Sequence, residues 1–287
     1  MATIIGLGNG ACNIAQAFLT YPQYEIYLLD TEYIPHKNFK LVDKREDHMG
    51  YESSFPDLTG FLYNSKGPYT VIICGGGAIS GGCLRLLEQL RGKKEKINIL
   101  YIKPEDDLLS DIRQKQDKIT FQVLQQYTRS GLIDNMFIIS NSECENHLSN
   151  LTIKNFYSSI NVLIASTYHM YNVFNNIEPI MQTASDPIDV ARIATLGFME
   201  SGEERMLYNL QLPREKNYYY SICKDNLESN VGLMSTIKEE MRSKLDEHVK
   251  VSYSSFENDY DQDYIYTAHF TSVVQEENYN FSLDDLK

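Results

Sequence analysis

Tryptophan is absent from the 287 residues, and cysteine is scarce. The five cysteines, Cys12, Cys74, Cys83, Cys144 and Cys223, form no CxxC pair and no Cys/His group at zinc spacing. Cys74 and Cys83, which flank a run of glycines, read as core residues of a reducing compartment, and no metal centre is expected. Long apolar runs are missing too, as is a secretory leader, so no membrane partner is expected and the chain reads as cytoplasmic. Basic residues are few: 26 Lys and Arg against 39 Asp and Glu leave a formal net charge of −13. That balance excludes nucleic acid as a direct partner, because a phosphate backbone needs a basic footprint. What remains is a globular chain whose 43% apolar residues can fill one large core or two small ones. No internal repeat is present, and the 21 tyrosines favour no function over another.

Glycine, by contrast, is concentrated where it can act. Residues 69–90 read YTVIICGGGAISGGCLRLLEQL. The apolar, β-branched run 70–74 has the length of a buried strand. It stops on Gly75, Gly76 and Gly77; Gly81 and Gly82 follow, and Leu84, Leu87 and Leu90 then recur at helical spacing. Strand, glycine loop and helix bring backbone N–H groups and a helix N-terminus together on an anion, usually phosphate. Glycine suits such a loop because a Cβ would block close approach of backbone to ligand. A tight strand-to-helix turn that binds nothing satisfies the same pattern.

The chain opens in the same way. A strand at 2–5 runs into GLGNGACNIAQAF, where Gly6, Gly8 and Gly10 precede a helix with Ile14, Ala17 and Phe18 on one face. A strand at 25–29 ends in Asp30, about 20 residues beyond the loop, as a dinucleotide fingerprint requires. The GxGxxG match is only approximate, and Asp30 equally suits a turn after a strand. Residues 34–66 are polar and turn-rich, with a short strand near 39–42. Strands at 97–102 and 136–139 flank an amphipathic helix at 107–130, with Leu108, Ile112, Ile119, Val123 and Leu124 among its apolar positions. The alternation predicts an α/β fold with a Rossmann-like parallel sheet, its ligand loops sharing one edge.

A helix predicted over 153–175 is apolar on more than one side and therefore lies between layers. Residues 185–193 (SDPIDVARI) have helix-start chemistry, with Asp186 as N-cap, Pro187 as N1 and Asp189 as N3. Strands at 218–223, 249–256 and 264–273 and a helix at 228–245 form a smaller α+β unit. The sequence ends in an acidic tail carrying Phe281, Leu283 and Leu286.

In this order the pieces resemble the tubulin/FtsZ superfamily of filament-forming GTPases over nearly the whole chain. GLGNGACN (6–13) resembles the family's first nucleotide loop, and DTE (30–32) sits where FtsZ has Asn-Thr-Asp. GGGAISGG (75–82) resembles the signature GGGTGTG or GGGTGSG. KP (103–104) and SNS (140–142) resemble the ribose loops, FYSSINVL (156–163) the start of the central helix, and SDPID (185–189) the catalytic loop. The resemblance implies GTP or GDP as ligand, with Mg2+. Gly8, Asn9, Gly10, Gly75, Gly76, Gly77, Ser80 and Gly81 would surround the phosphates, and Asn13, Asn141 and Asn161 would hold the nucleoside. Asp186 and Asp189 would complete the catalytic site of the adjacent subunit in a head-to-tail polymer of this chain with itself. The short length and acidic tail resemble the plasmid- and phage-encoded tubulins, which implies a cytomotive filament in a host cytoplasm. The tail would contact the next subunit or another protein through Phe281, Leu283 and Leu286, unless it is a solvated end.

The signature departs from the pattern at two positions. Ala78 removes a hydroxyl donor to phosphate, and Ile79 puts a branched side chain where backbone should meet ligand. A tubulin-like regulator without hydrolysis, or a Rossmann-type NAD-dependent enzyme built on Gly6, Gly8 and Asp30, are the alternatives. The division expected is a nucleotide-binding domain (1–150), a central core helix (151–177), an α+β activation-type domain (178–275) and the tail (276–287).

Overall fold

The computed structural model describes residues 2–149, 151–183 and 189–276. In chain order the elements are β1 (Ala2–Leu7), α1 (Asn9–Ala17), β2 (Tyr24–Asp30), β3 (Phe39–Leu41), α2 (His48–Ser53), β4 (Tyr69–Cys74), α3 (Cys83–Arg91) and β5 (Ile97–Lys103). Then follow α4 (Asp111–Arg129), β6 (Asn135–Ser140), α5 (Asn141–Asn146), α6 (Phe156–Phe174), β7 (Met181–Gln182), β8 (Ile193–Glu200) and β9 (Glu203–Met206). The last are β10 (Glu215–Cys223), α7 (Lys224–Ser229), α8 (Leu233–Ser243), β11 (Lys250–Asn258) and β12 (Tyr264–Thr271). No helix among the described residues is long and apolar enough to cross a membrane.

The first six strands lie in the order β3-β2-β1-β4-β5-β6, all parallel. This is the doubly wound α/β order. Strand β8 continues the sheet in parallel with the start of β6, pairing Ile193 with Met136 and Ala194 with Phe137. Beyond it come β12, β10, β11 and β7, so a single sheet runs through both halves of the chain. One face carries α1 and α6 over a core that includes Phe18, Phe137, Ile164 and Tyr168; the other carries α2, α3 and α4 over Tyr51, Leu86, Tyr101 and Phe121. A third cluster packs Ile237 and Met241 of α8 on Tyr218 and Tyr220 of β10. Helix α6 ties the halves together: Tyr168 Oη lies 2.8 Å from Thr70 Oγ1 of β4, while Phe174 stacks on Tyr219 of β10 at 5.5 Å.

Four sequence expectations change. The helix predicted to begin at 185 does not reach 193: Asp189 and Val190 form a turn, Ile193 opens β8, and residues 184–188 lie outside the described residues. β-Branched and aromatic residues paired on both flanks outweigh the good helix-start signal. The central helix spans 19 residues instead of 23, about 28 Å at 1.5 Å per residue. The helix predicted over 228–245 is two helices, broken at Asn230–Gly232, where the Asn230 side chain accepts from Gly232 N. In α4 the buried face carries Asp117, Phe121, Leu124, Gln125 and Thr128, while Ile112 and Ile119 are exposed. The tail residues Phe281, Leu283 and Leu286 lie outside the described residues; just before them, Gln275 is held on α4 by a reciprocal amide pair with Gln125 (2.6 and 3.1 Å).

One buried histidine makes stability pH-dependent. His269 of β12 is buried with Nε2 3.7 Å from Glu204 Oε2, and burial pulls its pKa down to about 4. An unfolded imidazole takes its proton near 6.5. Between those values the unfolded chain binds the extra proton, so stability falls as pH drops from about 6.5 towards 4 and is unaffected above. The His269 contribution amounts to at most about 3 kcal/mol. Denaturant titrations at pH 7.0, 5.5 and 4.5 should show a shallower acid loss in His269→Gln than in wild type; equal losses would refute the assignment.

Candidate functional site

In a doubly wound sheet the ligand crevice opens where the strand order reverses. Here that point lies between β1 and β4, which pair with each other while their chains wind off in opposite directions. The loops leaving the carboxyl ends of these two strands are the two glycine loops.

The loop after β1 is short. Gly8 holds φ +88°, its N–H bonds Leu29 O at 2.8 Å, and α1 starts at once with no side-chain cap. The first amides of α1 are therefore open to a ligand. Asn9 and Gly10 are exposed, and Asn13 Nδ2 donates to Asn9 Oδ1 at 3.1 Å on the same rim. Gly10 packs towards Cys74 at the end of β4: a Cβ there would lie 3.1 Å from the Cys74 Sγ.

The loop after β4 is built on contacts only glycine permits. A Cβ on Gly75 would fall 1.7 Å from Asp117 Oδ1. Gly76 has φ +71°. A Cβ on Gly81 would meet the His48 carbonyl oxygen at 2.4 Å, and one on Gly82 the Phe55 ring at 2.3 Å. Gly77 has only the Cys74 carbonyl within 4 Å of its would-be Cβ, at 3.8 Å. Residues Ala78–Gly82 form a 3₁₀ turn leading into α3. Among the described residues, no hydrogen bond occupies the N–H of Gly76, Gly77, Ala78 or Ile79. These four successive amides, beside those of α1, are the donors with which a phosphate-binding loop works.

Ile79 joins the two loops. Its Cγ2 lies 2.6 Å from where a Cβ on Gly8 would stand, so the branched side chain closes over Gly8, which is buried. Ser80 is buried as well, and its hydroxyl donates to Gly77 O at 2.6 Å. Under the loop, Lys103 at the end of β5 forms an ion pair with Asp117 of α4, and Tyr101 Oη donates to Asp117 Oδ1 at 2.6 Å. Asp117 is fully buried, and burial with that carboxylate drives the Tyr101 phenol well above its ordinary range.

The other expected residues sit at several places. Asn141 opens α5, which Ser140 caps through Glu143 N (3.5 Å), beyond the carboxyl end of β6 on the same edge as the glycine loops. Asn161 is half-buried in the second turn of α6, whose neighbour Ile160 shares a core cluster with Ala11 and Ile14 of α1. Asp30 is buried, accepts from Thr31 N at 2.7 Å, and burial raises its pKa. Cys12 behind it is pushed up to about 12, mainly by burial, and is no nucleophile at neutral pH. Asp186 lies outside the described residues. Asp189 is exposed at the opposite edge of the sheet: the segment after it is fastened to the start of β6 by Arg192 O accepting from Met136 N (2.9 Å) and by Arg192 Nη1 donating to Asp134 O (3.2 Å). The six residues of β6, about 20 Å at 3.3 Å each, separate the two edges.

Tyr101, Lys103 and Asp117 escaped sequence reasoning as a group, since a strand end and a helix turn 14 residues apart carry no shared pattern. His48 was legible in the sequence only as part of His48-Met49-Gly50, a poor match to a glycine-rich γ-phosphate loop; its bond to the Gly77 carbonyl was not legible.

No family model and no curated protein matches the sequence. Solved structures do. An empty FtsZ dimer from M. jannaschii superposes with TM-score 0.67 at 10% identity, covering 94% of this chain and 88% of that one. A GTPγS-bound protofilament of CetZ2 from Haloferax volcanii gives 0.69 at 15%, covering 94% and 92%. A GTPγS-form protofilament of TubZ from Bacillus thuringiensis serovar israelensis gives 0.68 at 12%, covering 96% and 87%. The chain has the fold shared by these proteins, the tubulin/FtsZ fold.

Proposed function

We propose that this chain is a divergent member of the tubulin/FtsZ superfamily that binds GTP or GDP at the switch point and assembles head to tail into cytomotive filaments. The observation that supports the reading is that groups suited to the two halves of such a site lie on opposite edges of one parallel sheet. Open amides after β1 and β4 line one edge, and Asp189 stands about 20 Å away at the other. A carboxylate so placed cannot reach phosphates bound by its own chain. It reaches those of a neighbour stacked in the same direction, which makes assembly and hydrolysis one event. Backbone amides of the two loops, with Gly8, Gly10, Gly76 and Gly77 allowing close approach, would hold the phosphates, and Asn13, Asn141 and Asn161 the nucleoside. Asp186 and Asp189 would orient or deprotonate the attacking water in the next subunit. Bound guanine nucleotide would supply the scissile phosphoanhydride, and Mg2+ would accompany the phosphates. The domain division proposed follows: residues 1–150 bind nucleotide, 151–177 form the core helix, 178–275 present the aspartates, and the tail from 276 contacts the next subunit or another protein.

Ile79 favours a second reading. Closed over Gly8, it narrows the approach to the phosphate loop, as expected of a tubulin-like subunit that binds neighbours without hydrolysing nucleotide. The NAD-enzyme alternative is disfavoured by Asp30, which is buried and accepts from the backbone N–H of Thr31.

Pelleting and negative-stain microscopy with GTP, GDP, GTPγS and NAD separate the readings. Filaments with GTP and GTPγS, accompanied by phosphate release with GTP alone, support the polymer-coupled GTPase. Filaments without phosphate release support the second reading. No guanine-nucleotide binding and no filaments would falsify both.

A further inference from the structure

The peptide between Gly77 and Ala78 is held from one side by three donors. Gly77 O accepts from Ser80 N at 3.0 Å, from Ser80 Oγ at 2.6 Å and from His48 Nε2 at 3.0 Å. A carbonyl oxygen cannot donate, so Nε2 carries the proton of that bond. Ser80 Oγ, having given its own proton to Gly77, can receive the same Nε2–H at 3.1 Å. Two donors already fill the two lone pairs of a carbonyl. The third is redundant for satisfying it and tightens its direction instead. In a planar trans peptide the N–H points opposite to the C=O. With Gly77 O turned towards α2, the N–H of Ala78 must point away from it, out of the loop.

The geometry points to His48 as a positioning residue for phosphate binding: Nε2–H fixes the Gly77 carbonyl inward and thereby aims the Ala78 amide at the anion. This rests on the nucleotide reading above and adds to it a side chain that touches no phosphate itself. The arrangement is braced from both sides. Asp47 caps α2 by accepting from Gly50 N at 2.8 Å, and the missing side chain of Gly81 lets the His48 backbone seat directly on the loop. Burial lowers the imidazole pKa against the upward pull of the Gly77 carbonyl and of Asp47, Asp117 and Glu52, which suits a neutral ring with its proton on Nε2. Sliding α2 would therefore release the carbonyl and misdirect the amide, without removing any group that touches phosphate.

The test is calorimetric titration of the full chain with GDP, which separates binding from turnover. His48→Ala should bind GDP about tenfold more weakly than wild type, the effect of one lost hydrogen bond to a charged ligand. His48→Gln, which keeps an ε-nitrogen donor, should stay within about threefold. Should the alanine variant not fold, His48→Asn, whose amide is one methylene short, takes its place with the same expected loss. Exchange of the 75–82 amides, read by mass spectrometry, should quicken in the weakened variant and not in His48→Gln. Unchanged GDP affinity in His48→Ala, or equal loss in His48→Ala and His48→Gln, overturns the role of the Nε2–H while leaving the nucleotide reading in place. Absence of GDP binding by wild type itself overturns both.

Discussion

Asp117→Ala should destabilise the protein by about 3–5 kcal/mol, the cost of breaking a buried ion pair by removing one partner. Asp117 is inaccessible to solvent, and its two oxygens are taken by the Lys103 ammonium and the Tyr101 hydroxyl. Lys103 is itself almost fully buried, with its ammonium 5.3 Å from the centre of the Phe121 ring. Removing the carboxylate takes away an ion-pair partner of that buried cation between β5 and α4. It also removes the wall against which Gly75 is packed, so the glycine loop should loosen along with the core. The double variant Lys103→Met/Asp117→Leu should recover most of the loss, since replacing a buried pair by apolar groups of similar volume is often neutral or stabilising. Denaturant titration of wild type and the two variants decides it. A single-variant loss under about 1 kcal/mol would mean that water reaches the pair and that the burial argument fails.

Asp189→Ala should lower GTP turnover by about 10²–10⁴-fold while leaving the affinity of the single subunit for GTP within about twofold. The asymmetry follows from place. Asp189 is exposed, beyond the amino end of β8 and on the far edge from the glycine loops, so it contributes nothing to binding within its own chain. A mixing experiment tests the trans arrangement directly. Gly8→Val should abolish nucleotide binding, because its side chain would collide with Ile79 Cγ2 and Gly8 holds φ +88°. Each variant alone should be inactive. An equimolar mixture should regain part of the turnover, since some interfaces then pair an intact loop with an intact aspartate. Full activity of Asp189→Ala alone, or silence of the mixture although filaments form, would rule out catalysis across the interface.

Much of the fold was legible because its determinants are local. β1, β2, β4, β5 and β6 are short apolar runs closed by glycine, proline or polar residues, and their alternation with helical periodicity is the signal of a parallel sheet. Both glycine loops were legible for the same reason. What misled was also local: 185–193 carries helix-start chemistry, yet its end enters a strand. In α4 the residues that look like an apolar stripe, Ile112 and Ile119, face solvent, whereas Asp117 and Gln125 are buried because each finds its partner in a distant part of the chain, Lys103 for one and Gln275 for the other.

The purpose of individual glycines was not legible. The motif suggests that all of them make room for a ligand, but Gly75, Gly81 and Gly82 make room for Asp117, His48 and Phe55. Ser80 fits the phosphate pattern by position, yet its hydroxyl is turned onto Gly77. Composition and order of residues determined the α/β class, the two loops and their shared edge, because strand length, helical period and glycine spacing are set by neighbours in the chain. Tertiary structure alone decided which amides stay open, which side chains brace them, and that Asp189 faces the far edge. Those outcomes depend on pairs separated by 14 to 150 residues, such as Lys103 with Asp117 and Gln125 with Gln275, and only packing brings such pairs together.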